Sequence, residues 1–388
     1  MRTIPGSVFV PVWVYLPVVF GTTSLTHFAL LRSANVSNEA VATINVLIAF
    51  FLPLLVQCDL SWVNTLCACT VMVFVVLRVL EISTFNRAIN SKWTLFEYLE
   101  FLATSDNQPL RTIQKAKLEK ERKEREEKKL PPLPEKFKPC IAKPEDRTPW
   151  FYVQLLTRLA LTSVVYLFSR AYIEKYGFEH RFGFISPFEG KVAWDHVVFS
   201  AFIYCNLELG YMISSLIGAI IMQTPLVFMF HHPYLATSLR DFWSNRWNYA
   251  IKETLHRLSF QPTLQILARI NPSVSRNDST IDKKQAPAVH FAIASMASFF
   301  MSAMMHEYMV LLLMPTQSIG ENTCFFMLQG MLCFIQIHLQ RMTGFATMIL
   351  LFIMNPLFIG PYARSGLLST DLKVPVPEVV MDTIKTLF

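Results

Sequence analysis

The chain has 388 residues, of which 53% are hydrophobic, 13% aromatic and only 16% charged, and it carries 32 phenylalanines. That balance excludes an ordinary soluble globular protein, and the grouping of apolar residues into long runs identifies a polytopic membrane protein. The formal net charge of +7 does not point to nucleic acid: the basic residues gather between apolar runs, where positive charge sets topology, and no nucleic-acid motif accompanies them.

Val8 to Leu31, Ala40 to Val56 and Trp62 to Leu80 are the first predicted spans, with Pro11, Pro17 and Pro53 as kink points. The first run is too long for a signal-peptide core and has no clear small-residue cleavage site, so a retained span is expected. From Glu81 to Pro149 the composition changes, and KAKLEKERKEREEKKLPPLPEKFKP mixes both charge signs before a proline-rich stop. A solvated, partly helical loop is expected there, cytosolic by the positive-inside tendency, with a partner or anionic-lipid site as the sharper alternative. Residues 1–80, 81–149 and 150–388 thus divide the chain into N-terminal spans, a charged cytosolic loop and a membrane core.

Trp150 to Tyr172 is the next span, with Arg158 placed to snorkel at its cytosolic end. A lumenal loop, Glu174 to Lys191, leads to Val192–Phe230, which is too long for one crossing. A span to about Ile221 with a re-entrant or tilted piece near Pro225 fits its length. Asn206 and Glu208 sit deep in that run. An intramembrane carboxylate faces the bundle interior by default. Glu208 either orients His306, or a water near it, or bonds to a neighbouring helix. His231 and His232 read as interfacial, because two adjacent histidines do not easily converge on one metal.

From Pro233 to Leu258 the chain reads PYLATSLRDFWSNRWNYAIKETLHRL, its one long amphipathic stretch. Ser238 and Asp241 resemble a capping box, which predicts an interfacial helix over 238–258. At helical spacing Asp241, Asn245, Asn248 and Lys252 share one face, and Trp243, Trp247, Ile251, Leu255 and Leu258 another. Arg240, Arg246, Lys252 and Arg257 add cations at headgroup level. Periodicity alone favours an ordinary interfacial helix with a solvated polar side. Gln261 to Gln285 is expected to be irregular.

The span from about Phe291 to Met314 holds a single ionisable pair, His306 and Glu307. Kept neutral near mid-depth, the imidazole accepts a proton; a histidine hydrogen-bonded to a neighbouring helix is the structural alternative. Thr323–Leu339 and Thr343–Ile359 bring the total to about eight crossings. The seven cysteines, five of them (Cys67, Cys69, Cys205, Cys324 and Cys333) in apolar spans, show no CxxC or zinc-type spacing, so neither a disulfide framework nor a structural metal is expected. No internal repeat, GxGxxG, P-loop or serine-nucleophile elbow occurs.

PYLATSLRDFWSNRWN resembles the motif of plant wax synthases, in the membrane-bound O-acyltransferase superfamily, which carry a similar Pro-Tyr-Leu-Ala-Thr-Ser-Leu, then Asp-Phe-Trp and Arg-Trp-Asn. SAMMHE, Ser302–Glu307, resembles their Ser-Gly-Leu-Met-His-Glu run, in similar order, spacing and hydropathic surroundings. Two departures are Ser244-Asn245 where Gly-Arg is frequent, and Ala303 in place of a glycine. The resemblance implies an all-α polytopic fold whose core is pierced by a tunnel. It also implies transfer of a fatty acyl group from acyl-CoA to a long-chain alcohol, giving a wax ester at the endoplasmic reticulum membrane. His306 would be the general base and Asn248 would orient the thioester. Arg240, Arg246 and Lys252, with Arg257, are expected to meet the CoA phosphates, and Trp243, Trp247 and Glu208 complete the expected substrate-binding set. Acyl-CoA is a substrate and no cofactor is expected. Direct transfer in a ternary complex follows, since no cysteine or serine lies in a motif built for an acyl-enzyme. The alternatives are the same transfer to a sterol, diacylglycerol or secondary-metabolite hydroxyl, and a lipid or proton transporter with an intramembrane His/Glu relay.

Overall fold

Side-chain caps start two of the long helices. Ser37 accepts from the Ala40 N–H at the head of Asn38–Leu55, and Thr148 accepts from the Phe151 N–H at the head of Pro149–Tyr176. Pro149 takes the first turn of the second helix, where a missing N–H leaves no bond unmade.

The computed structural model describes residues 7–33, 36–58, 92–95, 97–98, 141–142, 148–178, 188–221, 226–270, 288–314, 317, 319–339, 344–365 and 376–388. In chain order these form β1 (Val8–Val10), α1 (Val12–Leu16), a π-turn (Pro17–Gly21), α2 (Thr22–Arg32), α3 (Asn38–Leu55), β2 (Val56–Cys58) and β3 (Ile141–Ala142). There follow α4 (Pro149–Tyr176), α5 (Gly190–Ile221), β4 (Leu226–Val227) and the short segments of the candidate site. The remainder is α8 (Gln261–Ile270), α9 (Ala288–Leu313), α10 (Glu321–Leu339), α11 (Gly344–Ser365) and α12 (Glu378–Lys385). The strands are brief: β1 pairs parallel with β2, Val8 opposite Val56, and β3 pairs antiparallel with β4, Ile141 opposite Val227.

Six helical stretches among the described residues are long and apolar enough to cross a membrane: Val12–Arg32, Asn38–Leu55, Pro149–Tyr176, Gly190–Ile213, Ala288–Leu312 and Gly344–Ser365. This is the expected all-α polytopic architecture. The predicted span Trp62–Leu80, most of the charged loop and Pro225 lie outside the described residues, and α10, expected as a crossing, is not among the six. The bundle turns apolar side chains outward, with Trp13, Leu156, Leu161 and Ile220 all more than half exposed. Apolar surface on that scale suits lipid and not water. Inside, Tyr166 stacks on Phe202 at 5.5 Å, and α4 and α5 meet Val310 of α9 and Ile359 and Tyr362 of α11.

Two expectations are corrected here. Arg158 does not snorkel outward: it pairs with Glu208 of α5, donates to the Phe230 carbonyl at 2.7 Å and lies over the Phe228 ring at 4.8 Å. Glu208 is fully buried, and a carboxylate so placed needs a cation, which draws the guanidinium inward. Residues 261–270 are not irregular but form α8, with Leu264 and Ala268 buried one turn apart and Ile266 and Ile270 exposed. Residues 271–285 lie outside the described residues.

Candidate active site

The stretch from Met229 to Tyr249 is a closed loop, not one helix. Its ends are tied by the His231 N–H to the Arg246 carbonyl and the Tyr249 N–H to the Met229 carbonyl, both 2.8 Å. His232 and Asn248, each at φ 44°, turn the chain at these ties. Histidine and asparagine are among the non-glycine types that enter the left-handed region most readily. Ser238 Oγ accepts the Asp241 N–H at 2.9 Å, as its cap pattern predicts, and starts α6 (Leu239–Asp241). The Asp241 carboxylate bonds the Thr237 N–H at 3.0 Å, one residue upstream of the capping-box position. It also holds Asn245 Nδ2 at 2.9 Å and Arg246 Nε at 2.7 Å.

Next comes a π-turn, Phe242–Arg246, and the helix stops at Trp247. Asn248 then caps α7 (Tyr249–Leu255), its Oδ1 accepting the Ile251 N–H at 3.4 Å. The continuous helix expected over 238–258 is thereby corrected. The break at Trp247–Asn248 resets the helical phase, so Asp241 and Asn245 do not share one helical face with Asn248 and Lys252. The cause is tertiary: the Tyr249 N–H is taken by Met229, 20 residues upstream, instead of by the preceding turn.

Charge in the loop follows from these contacts. Burial acts to raise the Asp241 carboxyl, but the bonds from Asn245, Thr237 and Arg246 outweigh it and hold the group below the usual aspartate range. Burial, with the Arg158 and Arg246 cations nearby, pushes His231 and His232 below the ordinary histidine value, leaving both neutral at physiological pH.

The loop is seated on α10 and α11. Gln336 Oε1 accepts the buried Leu239 N–H at 2.8 Å, and Gln329 Oε1 accepts the Trp243 indole N–H at 3.1 Å. These glutamines stand seven residues apart on one face of α10 and meet residues four apart in the loop. At the head of α11, a Cβ on Gly344 would fall 2.7 Å from the Ala236 carbonyl oxygen, so only glycine lets the two backbones approach.

His306 stands on α9 seven residues before Leu313, roughly 10 Å from that end of the helix, in its last third instead of near its middle. Its ring stacks on Phe326 of α10 at 4.8 Å, meets Phe358 of α11 edge-on at 5.2 Å, and brings Nδ1 within 3.3 Å of the Tyr362 hydroxyl. Glu307 turns elsewhere. Its carboxylate accepts from the Gly320 N–H at 2.9 Å and from the Thr323 N–H and hydroxyl at 2.8 and 3.0 Å, capping the positive end of α10.

Trp243 links the loop to the histidine. Its ring lies 6.3 Å from Trp247 and 5.9 Å from Phe326, and Phe326 in turn carries the His306 ring. No hydrogen bond joins Asn248 to His306 among the described residues; an aromatic path, Trp247, Trp243 and Phe326, runs from the neighbour of one to the ring of the other. Arg240 is exposed on the loop. Arg246 is held by Asp241 and the His232 carbonyl, Lys252 lies 3.3 Å from Glu253 and over the Tyr249 ring, and Arg257 lies 3.7 Å from Glu253. Glu208 has Arg158 as its ion-pair partner, which is the structural of its two readings. Sequence reasoning missed Phe326, Gln329, Gln336 and Tyr362. The glutamines left a signal, two amides one heptad apart in an apolar run; Tyr362 left none.

Residues 226–328, which contain both Asn248 and His306, match the family described as "Membrane bound O-acyl transferase family". The chain is 33% identical over 144 residues to the Arabidopsis thaliana protein named "Probable long-chain-alcohol O-fatty-acyltransferase 1", 36% of this chain and 37% of that one. It is 28% identical over 164 residues to the Simmondsia chinensis "Long-chain-alcohol O-fatty-acyltransferase", 41% and 42% of the two chains. To the Arabidopsis thaliana "Acyl-CoA--sterol O-acyltransferase 1" it is 27% identical over 112 residues, 29% and 28%. The matches thus span less than half the length of these curated relatives.

Proposed function

We propose, from the premise that the chain belongs through residues 226–328 to the membrane bound O-acyl transferase family, that it transfers a fatty acyl group from acyl-CoA to a long-chain alcohol. The observation that carries this reading is the aromatic path within the matched residues, which connects the Asn248 loop to His306. In that water-poor setting the His306 imidazole takes the hydroxyl proton as the alcohol oxygen attacks the thioester carbonyl. The carbon–oxygen bond forms, the carbon–sulfur bond breaks, and the CoA thiolate recovers the proton from the imidazolium. The Asn248 amide donates to the thioester oxygen as negative charge builds there. The products are a wax ester and CoA–SH, and no acyl-enzyme is needed.

The polyanionic CoA stays on the loop face with Arg240 and Lys252, while the apolar acyl chain and alcohol arrive from the bilayer. Pairing of Ile141–Ala142 with Leu226–Val227 brings the end of the charged loop to that face, which supports a cytosolic CoA side in an endoplasmic reticulum membrane. Likeness to a relative named as a sterol acyltransferase favours a sterol as the second acceptor to test. Microsomes containing the protein, supplied with labelled palmitoyl-CoA and a panel of long-chain alcohols, sterols and diacylglycerol, are expected to form ester with the long-chain alcohol. Sterol ester alone would change the acceptor, and no ester from any of them would remove acyl transfer.

A further inference from the structure

We infer that Tyr362 is the positioning residue that fixes which nitrogen of His306 receives the substrate proton; the inference rests on the acyl-transfer reading above. A neutral imidazole has one N–H and one lone pair, so its competence as a base depends on which nitrogen carries hydrogen. Among the described residues, three aromatic groups face the His306 ring. Phe326 of α10 covers one face, Phe358 of α11 packs edge-on, and the Tyr362 hydroxyl lies 3.3 Å from Nδ1, while the adjacent Glu307 carboxylate turns its Oε1 to Gly320 and Thr323 and makes no hydrogen bond to the imidazole among the described residues. Tyr362 is buried, at 7% exposure, and its ring is held against Phe358 at 5.6 Å.

With the phenol oxygen accepting from Nδ1–H, the lone pair is left on Nε2, the nitrogen that then takes the substrate proton. When Nε2 takes the alcohol proton, the donor to Tyr362 becomes an imidazolium and that hydrogen bond strengthens. The stabilisation therefore grows along the reaction instead of being spent in the resting state. A carboxylate would orient the ring as well, but would add a charge to an apolar span; a phenol adds none.

Tyr362→Phe keeps the ring that packs on Phe358 and deletes only the hydroxyl, and the full-length protein in microsomes or detergent is the material to use. The expected result is a kcat lower by about ten- to a hundredfold, the size of a hydrogen bond to a charged group. KM for acyl-CoA and the thermal midpoint should stay unchanged, and the acidic limb of the pH–rate profile should move to lower pH. An unchanged kcat and profile would overturn the inference, as would a limb moving to higher pH, which marks a phenol donating to Nδ1. Should the phenylalanine variant fail to fold, 3,5-difluorotyrosine at position 362 preserves the shape and, assayed at a pH low enough to keep its more acidic phenol protonated, weakens the acceptor. A lower kcat supports the assignment, and an equal or higher one overturns it. Wild-type protein that makes no ester would remove the acyl-transfer reading itself, whereas an active wild type with an indistinguishable variant removes only the role of Tyr362.

Discussion

Asn248 illustrates why a single alanine is a poor probe of this site. Its Oδ1 caps α7 and its backbone sits at φ 44°, a conformation asparagine tolerates and alanine resists. Asn248→Ala removes the cap and strains the backbone together, for about 1–2 kcal/mol, so lost activity would not separate chemistry from folding. Asn248→Asp keeps a capping oxygen and tolerance of the left-handed region, and replaces the donor NH2 by a charged oxygen that only accepts. It is expected to melt like the wild type in detergent while kcat falls about a hundredfold; an aspartate variant with normal kcat would reduce Asn248 to a positional role. The companion substitution is His306→Ala, which should express and insert but make no ester, and turnover within a few-fold of wild type would take the base role from His306. Among the cations, Arg246 is committed to Asp241, so Arg240→Ala is the variant expected to raise KM for acyl-CoA, read from initial rates with the acceptor saturating.

The loop from Met229 to Tyr249 owes its shape to contacts on both sides of the local-to-tertiary divide. Ser238 as a helix cap was legible because the cap closes within three residues. The break at Trp247–Asn248 was not, since it depends on Met229 taking the Tyr249 N–H, and α10 and α11 supply partners about a hundred residues downstream. For the same reason His306 could be found in its apolar run while Tyr362, 56 residues further on, could not. Those tertiary bonds are testable. Gln336→Leu leaves the buried Leu239 N–H without its acceptor, and a thermal midpoint lowered by the equivalent of about 1–3 kcal/mol is expected. The Asp241 hub adds a pH signature. Its folded pKa lies below the usual value, so its contribution is complete above the unfolded aspartate value near ~3.9 and is lost as pH falls through the folded value. Wild type should therefore melt above Asp241→Asn at neutral pH, and the gap should close well below pH ~4; a gap that persists in acid would mean that the charge on Asp241 contributes nothing.

Between these parts runs one buried ion pair. Arg158 on α4 and Glu208 on α5 lock the two longest of the described helices together, and the same guanidinium donates to the Phe230 carbonyl at the entry to the loop. The Phe230 ring, in turn, lies 4.5 Å from Trp247 and 4.9 Å from Tyr204, so the pair fixes the height at which the aromatic path begins. Stability and activity should respond differently to its removal. Glu208→Ala strands a cation among apolar helices and is expected to cost about 3–5 kcal/mol, whereas Arg158→Met with Glu208→Leu removes both charges and should recover most of that loss. The double variant still lacks the donor to the Phe230 carbonyl, so its loop is free to shift against Trp247. A double variant with near-wild-type melting but reduced kcat would show that the ion pair serves to hold the loop in register with His306. Full recovery of kcat along with stability would confine its role to joining the two helices.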